Sequence, residues 1–274
     1  MKEAVAAAKE MRLDILRLAF GAGRRGAHIA PALSIADILA VLFLHVMKYP
    51  PSSGDKTNTL SNRGVLGDRF VLSKGHGGLA YYTAMFQAGL ITKDQLDSFD
   101  KNGGDFPGQP FKSAENKIEY SSGTLGLGLS YGAGLALGAR LRGLSGRIFV
   151  LLGDGECDEG AVWEAAMFAA HRRLNLIAIV DQNGMQSDGA SRVILDVDLE
   201  KAWKAFNWET IICDGHNTDA LAKALDRDGS PTVVLAQTIK GKGVSFMENN
   251  RRWHHSFLTE EEYENAVKEI EGAS

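Results

Sequence analysis

Only two cysteines, Cys157 and Cys213, stand in this 274-residue chain. They carry no metal-ligand spacing and cannot build a disulfide framework, which points to spectator thiols in a reducing, cytoplasmic compartment. An excess of positive charge is also lacking. The net charge is −4 and the pI is near 6.0, and Arg24-Arg25 and Arg251-Arg252 are too short to form a basic stripe, so no nucleic-acid partner is expected. No apolar run is long enough to span a membrane. The most hydrophobic stretch, 35–47, contains Asp37 and His45 and is expected to be a buried helix opened by Ser34 and Asp37 as a capping box. The N-terminus spreads Lys2, Glu3, Lys9 and Glu10 through an alanine-rich amphipathic pattern that lacks the core of an export signal. Neither repeats nor disorder-prone composition occur. A hydrophobic content of 45% supports one large α/β domain or two small ones.

The pattern along the chain is mixed at first and then regular. Helices are expected over 2–20 and 34–47, followed by a Pro, Ser, Asn and Gly-rich loop over 49–67, long enough to suggest a functional role. A strand over 68–73 precedes a helix over 78–88 closed by Gly89, and Thr92 with Gln95 opens another short helix. Residues 121–143 are dense in glycine. Their Gly-x-Gly pairs follow no strand, so close helix-to-sheet packing accounts for them better than a dinucleotide loop. Beyond residue 190, a helix near 199–206, a strand at 208–213, a helix at 218–226 and a strand at 232–239 complete an alternating order. The class is α/β, with a mainly parallel sheet and helices on both faces.

One segment carries the chemistry. Arg147 to Leu152 is a short apolar run that stops at Gly153-Asp154-Gly155, as a buried parallel strand does at a tight turn. Apolar residues then return at helical spacing from Ala161 to Arg173, with Trp163, Met167 and Ala170 along one stripe. A second apolar run, 175–180, ends in Asp181-Gln182-Asn183. A right-handed strand-helix-strand crossover puts both strand ends on one edge and makes Asp154 and Asn183 neighbours. A carboxylate, an amide oxygen and a backbone carbonyl just beyond Asn183 are hard ligands suited to Mg²⁺ or Ca²⁺, whose remaining positions phosphate oxygens and water would fill. Gly155 is expected to let backbone N–H groups approach those phosphates at the start of the following helix.

The chain resembles the N-terminal, diphosphate-binding half of transketolase, and especially the N-terminal subunit of the split, two-gene transketolases. The landmarks run through Ala27-His28, 68–76 (DRFVLSKGH), Ser122-Gly123-Thr124-Leu125-Gly126, Gly153-Asp154-Gly155, Asn183, Lys240-Gly241-Lys242-Gly243 and Trp253-His254, covering nearly the whole chain. The resemblance implies thiamine diphosphate as cofactor, with Asp154, Asn183 and the carbonyl of Met185 as metal ligands. It places His76 and His254 by the diphosphate or the thiazolium, and His28 near the substrate carbonyl. Gly123, Thr124 and Leu125 match a loop on the aminopyrimidine, and Gly153 and Gly155 flank the metal acid. Glu159 and Glu164 match acids at the subunit interface, with Glu159 counted on the cofactor side. In the implied reaction imidazoles near neutral pKa serve developing alkoxides as general acids and bases. His45 and His171 sit inside helical patterns, and His216 and His255 stay undecided.

Two departures from the family pattern stand out. Gly108-Gln109-Pro110 replaces the usual Gly-His-Pro near the donor substrate, and Gln109 can hydrogen-bond but cannot titrate. Around His28, Ala27-His28-Ile29-Ala30 replaces Gly-His-Pro-Gly. The resemblance further implies a single thiamine diphosphate-binding domain over 1–274 with an N-terminal helical portion. The pyrimidine-binding domain and its activating glutamate would come from a partner subunit in an α₂β₂ assembly acting on sugars or sugar phosphates. A thiamine diphosphate subunit of a 2-oxoacid decarboxylase or dehydrogenase, and a non-catalytic scaffold, are the alternatives.

Overall fold

The computed structural model describes residues 1–49 and 67–272, so most of the glycine- and proline-containing loop expected over 49–67 lies outside the described residues. Five strands, β1 (Arg69–Leu72), β2 (Ile148–Gly153), β3 (Leu176–Gln182), β4 (Glu209–Asp214) and β5 (Thr232–Gln237), form one sheet in the order β1-β2-β3-β5-β4. Every pairing is parallel. Helices alternate with them: α1 (Lys2–Gly21), α2 (Ile29–Ser34), α3 (Ala36–Val41), α4 (Gly78–Gln87), α5 (Lys93–Asp97), α6 (Gly128–Leu141), α7 (Gly160–Arg172), α8 (Ser191–Ile194), α9 (Leu199–Ala205), α10 (Thr218–Leu225) and α11 (Glu260–Gly272).

Alternation along the strands builds two cores. Phe149, Leu151, Ile177, Ile179 and Val234 face the layer of α1 to α4, α10 and α11. Ile148, Val150, Leu176, Ala178, Val180 and Val233 face α6, α7 and α9. The central strands are therefore buried on both faces, which is why they read as unbroken apolar runs. Of the two edge strands, β1 is buried and β4 is partly exposed along its length. Glycine helps set the layer spacing, since a Cβ on Gly132 of α6 would collide with Val150 of β2. Gly134 and Gly138 face open space, so close packing explains only part of the glycine density. The expected capping box of Thr92 and Gln95 opens α5, and Gly89 follows α4 at φ +67°.

Two expectations need correction. The stretch 34–47 is buried as expected, but it is not one helix capped by Ser34. A helix already running from Ile29 breaks at Ile35, restarts at Ala36 and ends in a π-helical turn over Leu42–Val46. The Ser34 hydroxyl is spent on Asp181 instead. In α7 the buried stripe is Val162, Ala165, Ala166 and Ala169, while Met167 is 48% exposed. Small residues lie against the sheet because α6 packs closely beside α7, leaving the larger apolar side chains outside.

Candidate active site

Parallel pairing aligns Gly153 with Asp181, and the Asp154 N–H donates to the Asp181 carbonyl at 3.2 Å. The ends of β2 and β3 thus lie side by side, as the crossover predicts. The Asp154 carboxylate reaches across to the second loop: Oδ2 accepts from the Gly184 N–H at 2.7 Å and from Ser191 Oγ at 3.1 Å. Asn183 Oδ1 accepts from the Met185 N–H at 3.0 Å, and its Nδ2 donates to Asp181 Oδ2 at 2.8 Å. The Met185 carbonyl accepts from Lys240 Nζ at 3.2 Å. Burial first, then the charge of Asp181, push the Asp154 carboxyl pKa up against three hydrogen bonds. A hard cation would relieve that pressure on the charged form, and the donors present, one carboxylate, one amide oxygen and one carbonyl, fit an ion that completes its shell with ligand oxygens. Among the described residues no group of three or more His, Cys, Asp or Glu is placed to hold a metal.

Gly155 departs from expectation. Its N–H donates to Asp154 Oδ1 at 2.8 Å, and a 3₁₀ turn over Gly155–Asp158 separates it from α7, which starts at Gly160. The turn next to the acid is not the start of a long helix. Its glycine is required by space, because a Cβ there would meet Gln186 Cγ at 2.6 Å.

The imidazoles converge on the same edge. Ring centroids lie 6.1 Å apart for His28 and His76, 5.5 Å for His28 and His254, and 5.3 Å for His76 and His254. An antiparallel bridge between Ala27 and Ser256 brings His28 and His254 together from distant parts of the sequence. His255, exposed, sets its ring edge-on to His28 at 4.6 Å. Lys240 joins the two halves of the site, since its ammonium touches the carbonyls of Met185 and Gln186 and also lies 3.0 Å from His254 Nδ1. Burial pulls Lys240 down to about 8, aided by Lys74. Burial and neighbouring cations lower His28 to about 4 and His254 to about 3, and hold His76 well below the usual range. Burial and positive neighbours thus favour the neutral form of all three imidazoles. Their shared surplus of positive surroundings suits an anion.

The Gly123 loop lies close by. Gly123 has φ +138°, and a Cβ on it would meet Gln109 Oε1 at 2.7 Å, so Gln109 faces this loop. Gly126 N–H donates to Glu156 Oε1 at 2.8 Å, and Gly153 N–H donates to Glu156 Oε2 at 3.0 Å, while Ser73 Oγ donates to the same carboxylate. Thr124 and Leu125 are exposed. Glu159 precedes α7 and packs its Cβ toward Gly126, whereas Glu164 is exposed on that helix. His216 belongs elsewhere: its ring bonds Asp37 Oδ2 at 2.8 Å and accepts the Ile239 N–H at 2.8 Å, a structural role. Burial pushes the Cys157 thiol up, and Cys213 to about 11, in keeping with unreactive thiols.

Lys74, Glu156, Asp181 and Lys240 are buried charges at this edge of the sheet that sequence reasoning left without roles. The available signal was a charged residue standing directly at the end of an apolar strand, as Asp181 does after Val180.

Known proteins fix the class. The sequence matches the family described as "Transketolase, thiamine diphosphate binding domain" over residues 2–273. A 6-deoxy-6-sulfo-D-fructose transketolase subunit from Clostridium sp. is 40% identical over 89% of this chain and 88% of its own length. An apulose-4-phosphate transketolase subunit from Actinobacillus succinogenes is 38% identical, again over 89% and 88%. The solved transketolase from Campylobacter jejuni superposes with a TM-score of 0.82 at 25% identity, over 98% of this chain and 42% of that one. The Pichia stipitis enzyme in complex with sedoheptulose 7-phosphate gives 0.84 at 26% identity, over 97% and 40%. The chain spans about two fifths of these solved enzymes. Fold and site define a thiamine diphosphate-binding α/β transferase. More narrowly, the chain belongs to the transketolase family, as the thiamine diphosphate-binding N-terminal subunit of the split form.

Proposed function

We propose that this chain and its partner, as an α₂β₂ assembly, transfer a two-carbon ketol unit from a ketose or ketose phosphate to an aldose. Residues 1–274 act as one cofactor-binding domain in this reading. Asp154, the Asn183 amide oxygen and the Met185 carbonyl would hold Mg²⁺ (or Ca²⁺), whose charge would offset that of the diphosphate. Lys240 and His76 face the same anion, and Gly123, Thr124 and Leu125 line the aminopyrimidine side. The cofactor, when bound, supplies the electron sink for the two-carbon fragment. The chain's own residues bind, orient and exchange protons. His28 and His254 donate to oxygens of the sugar as neutral imidazoles, which a nearby anion would return toward the protonated form. Gln109 meets the donor as a neutral hydrogen-bonding group. The partner supplies the pyrimidine-binding face and its acid, with Glu159 and Glu164 at the shared boundary. The unpaired Cys157 and Cys213 support a reducing, cytoplasmic setting, and no described helix is long and apolar enough to cross a membrane.

The observation that carries this reading is Lys240, whose single ammonium contacts both the Met185 carbonyl of the metal loop and the His254 ring. The test is a donor screen on the reconstituted pair with magnesium, thiamine diphosphate and an aldose acceptor. Ketose donors, including the 6-deoxy-6-sulfo-D-fructose and apulose 4-phosphate named for the relatives, should yield an aldose shortened by two carbons and a ketose formed from the acceptor and the two-carbon unit. Release of CO₂ from a 2-oxoacid, with no ketol transfer, would overturn it.

A further inference from the structure

Asp181 is fully buried and touches four loops at once. Oδ1 accepts from Ser34 Oγ at 2.7 Å and from Thr238 Oγ1, and Oδ2 accepts from Lys74 Nζ and from Asn183 Nδ2 at 2.8 Å. These partners belong to the His28, Lys240, His76 and metal segments respectively. We propose that Asp181 is a positioning residue that fixes which way the Asn183 amide faces, and so makes its oxygen available as a metal ligand.

The chemistry allows one orientation only. The amide NH₂ faces a carboxylate, which can only accept, and the amide oxygen faces the Met185 N–H, which can only donate. Turning the amide over would set oxygen against carboxylate and NH₂ against N–H. The orientation kept leaves the second lone pair of Oδ1 on the loop whose next N–H, Gly184, already touches Asp154. Lys74, 1% exposed, neutralises Asp181 so that this acceptor can stay charged without water. Groups behind a metal ligand commonly change metal affinity by about 10–100-fold when lost.

The inference rests on the metal assignment above, and the experiment separates the two. Thiamine diphosphate uptake by the full chain with its partner is measured by titration calorimetry across a magnesium series, with thermal midpoints recorded in parallel. Asp181→Leu, which removes the acceptor altogether, should raise the magnesium needed for half-maximal uptake by about 10–100-fold, with recovery at high magnesium. Because that variant strands the Lys74 ammonium, Lys74→Met/Asp181→Leu is the folded counterpart, expected to show the same shift with a midpoint above that of the single variant. Thr238→Val removes a partner of Oδ1 and of Ser34 Oγ but touches neither Oδ2 nor the Asn183 amide, and should leave the magnesium requirement unchanged. A folded double variant with wild-type magnesium dependence overturns the inference, as does a Thr238→Val shift of equal size. Asp154→Ala serves as the control: if it retains magnesium-dependent uptake, the metal assignment itself fails.

Discussion

Two buried ion pairs sit at opposite edges of one sheet, and they do different things. At the amino edge Arg147 and Asp68, with side chains 5% and 4% exposed, lock the entries to β2 and β1. Arg147 bonds Asp68 Oδ2 through Nη2 at 2.6 Å and Nε at 3.1 Å, its own N–H donates to Asp68 Oδ1, and Asp226 and the Val46 carbonyl take the remaining donors. Burial pulls the guanidinium pKa down, but the hydrogen bonds and charge of Asp68, with Asp226, outweigh it and leave it raised. At the carboxyl edge Lys74 and Asp181 are buried still more deeply. There the surrounding His28, His76, His254 and Lys240 are all driven toward neutrality. Burial of charge is common to both. What separates a brace from a site is whether the cations already have their acids.

That contrast can be broken by experiment, most strongly at the carboxyl edge. Asp154→Ala in the reconstituted pair should lower ketol transfer on the order of 10³-fold, equivalent to about 4 kcal/mol, while the thermal midpoint hardly moves. A coupled turnover assay beside calorimetric melting checks both halves. Arg147→Met should do the reverse. It leaves Asp68 buried without its partner, costing about 3–5 kcal/mol, or roughly a 10 °C fall in midpoint, while the folded fraction keeps its specific activity. If activity falls and the midpoint does not, the amino edge is more than a brace.

His28 sharpens the comparison through pH. Its folded pKa of about 4 lies below the ordinary 6.5, so between those values the unfolded chain takes a proton that the folded chain refuses. Stability from this group is full above pH 6.5 and is lost as the pH falls toward 4. Between pH 7 and 4.5 the loss should be about 2 kcal/mol, and His28→Asn should remove that share of the slope in urea titrations. An unchanged slope would show that His28 is hydrated in solution. The smallest effect is expected at Gln109→His, which should alter relative kcat/KM between two ketose donors by about tenfold, or 1.4 kcal/mol. Unaltered donor preference would remove Gln109 from the specificity surface.

The parts of the molecule legible in the sequence were those built from local pattern. The apolar runs of β2, β3 and β5 announced a buried parallel sheet, and one crossover was enough to bring Asp154 beside Asn183. Where expectation failed, a distant contact had decided the outcome. Ser34 is a good capping residue by composition, yet Asp181 lies 147 positions away and claims its hydroxyl. Met167 fits a helical stripe, but the close approach of α6 and α7 favours alanine inside and turns methionine outward. Lys74 and Asp181 form their pair across 107 positions, a relation that no periodicity encodes. The histidines were found through motif resemblance, while the lowering of their pKa values comes from tertiary burial first and from the neighbouring cations second, neither of which a local motif encodes.

The short bridge between Ala27 and Ser256, with hydrogen bonds of 2.8 and 3.0 Å, has a consequence for biogenesis. The contacts of Asp154 with the loop after Asn183 are made within residues 153–191, but the ring of His254 is delivered only when a late stretch of the polypeptide docks against an early one. A chain synthesised as far as residue 191 would therefore carry His28, His76 and the Asp154–Asn183 corner, and would still lack the ring of His254 that closes the cluster.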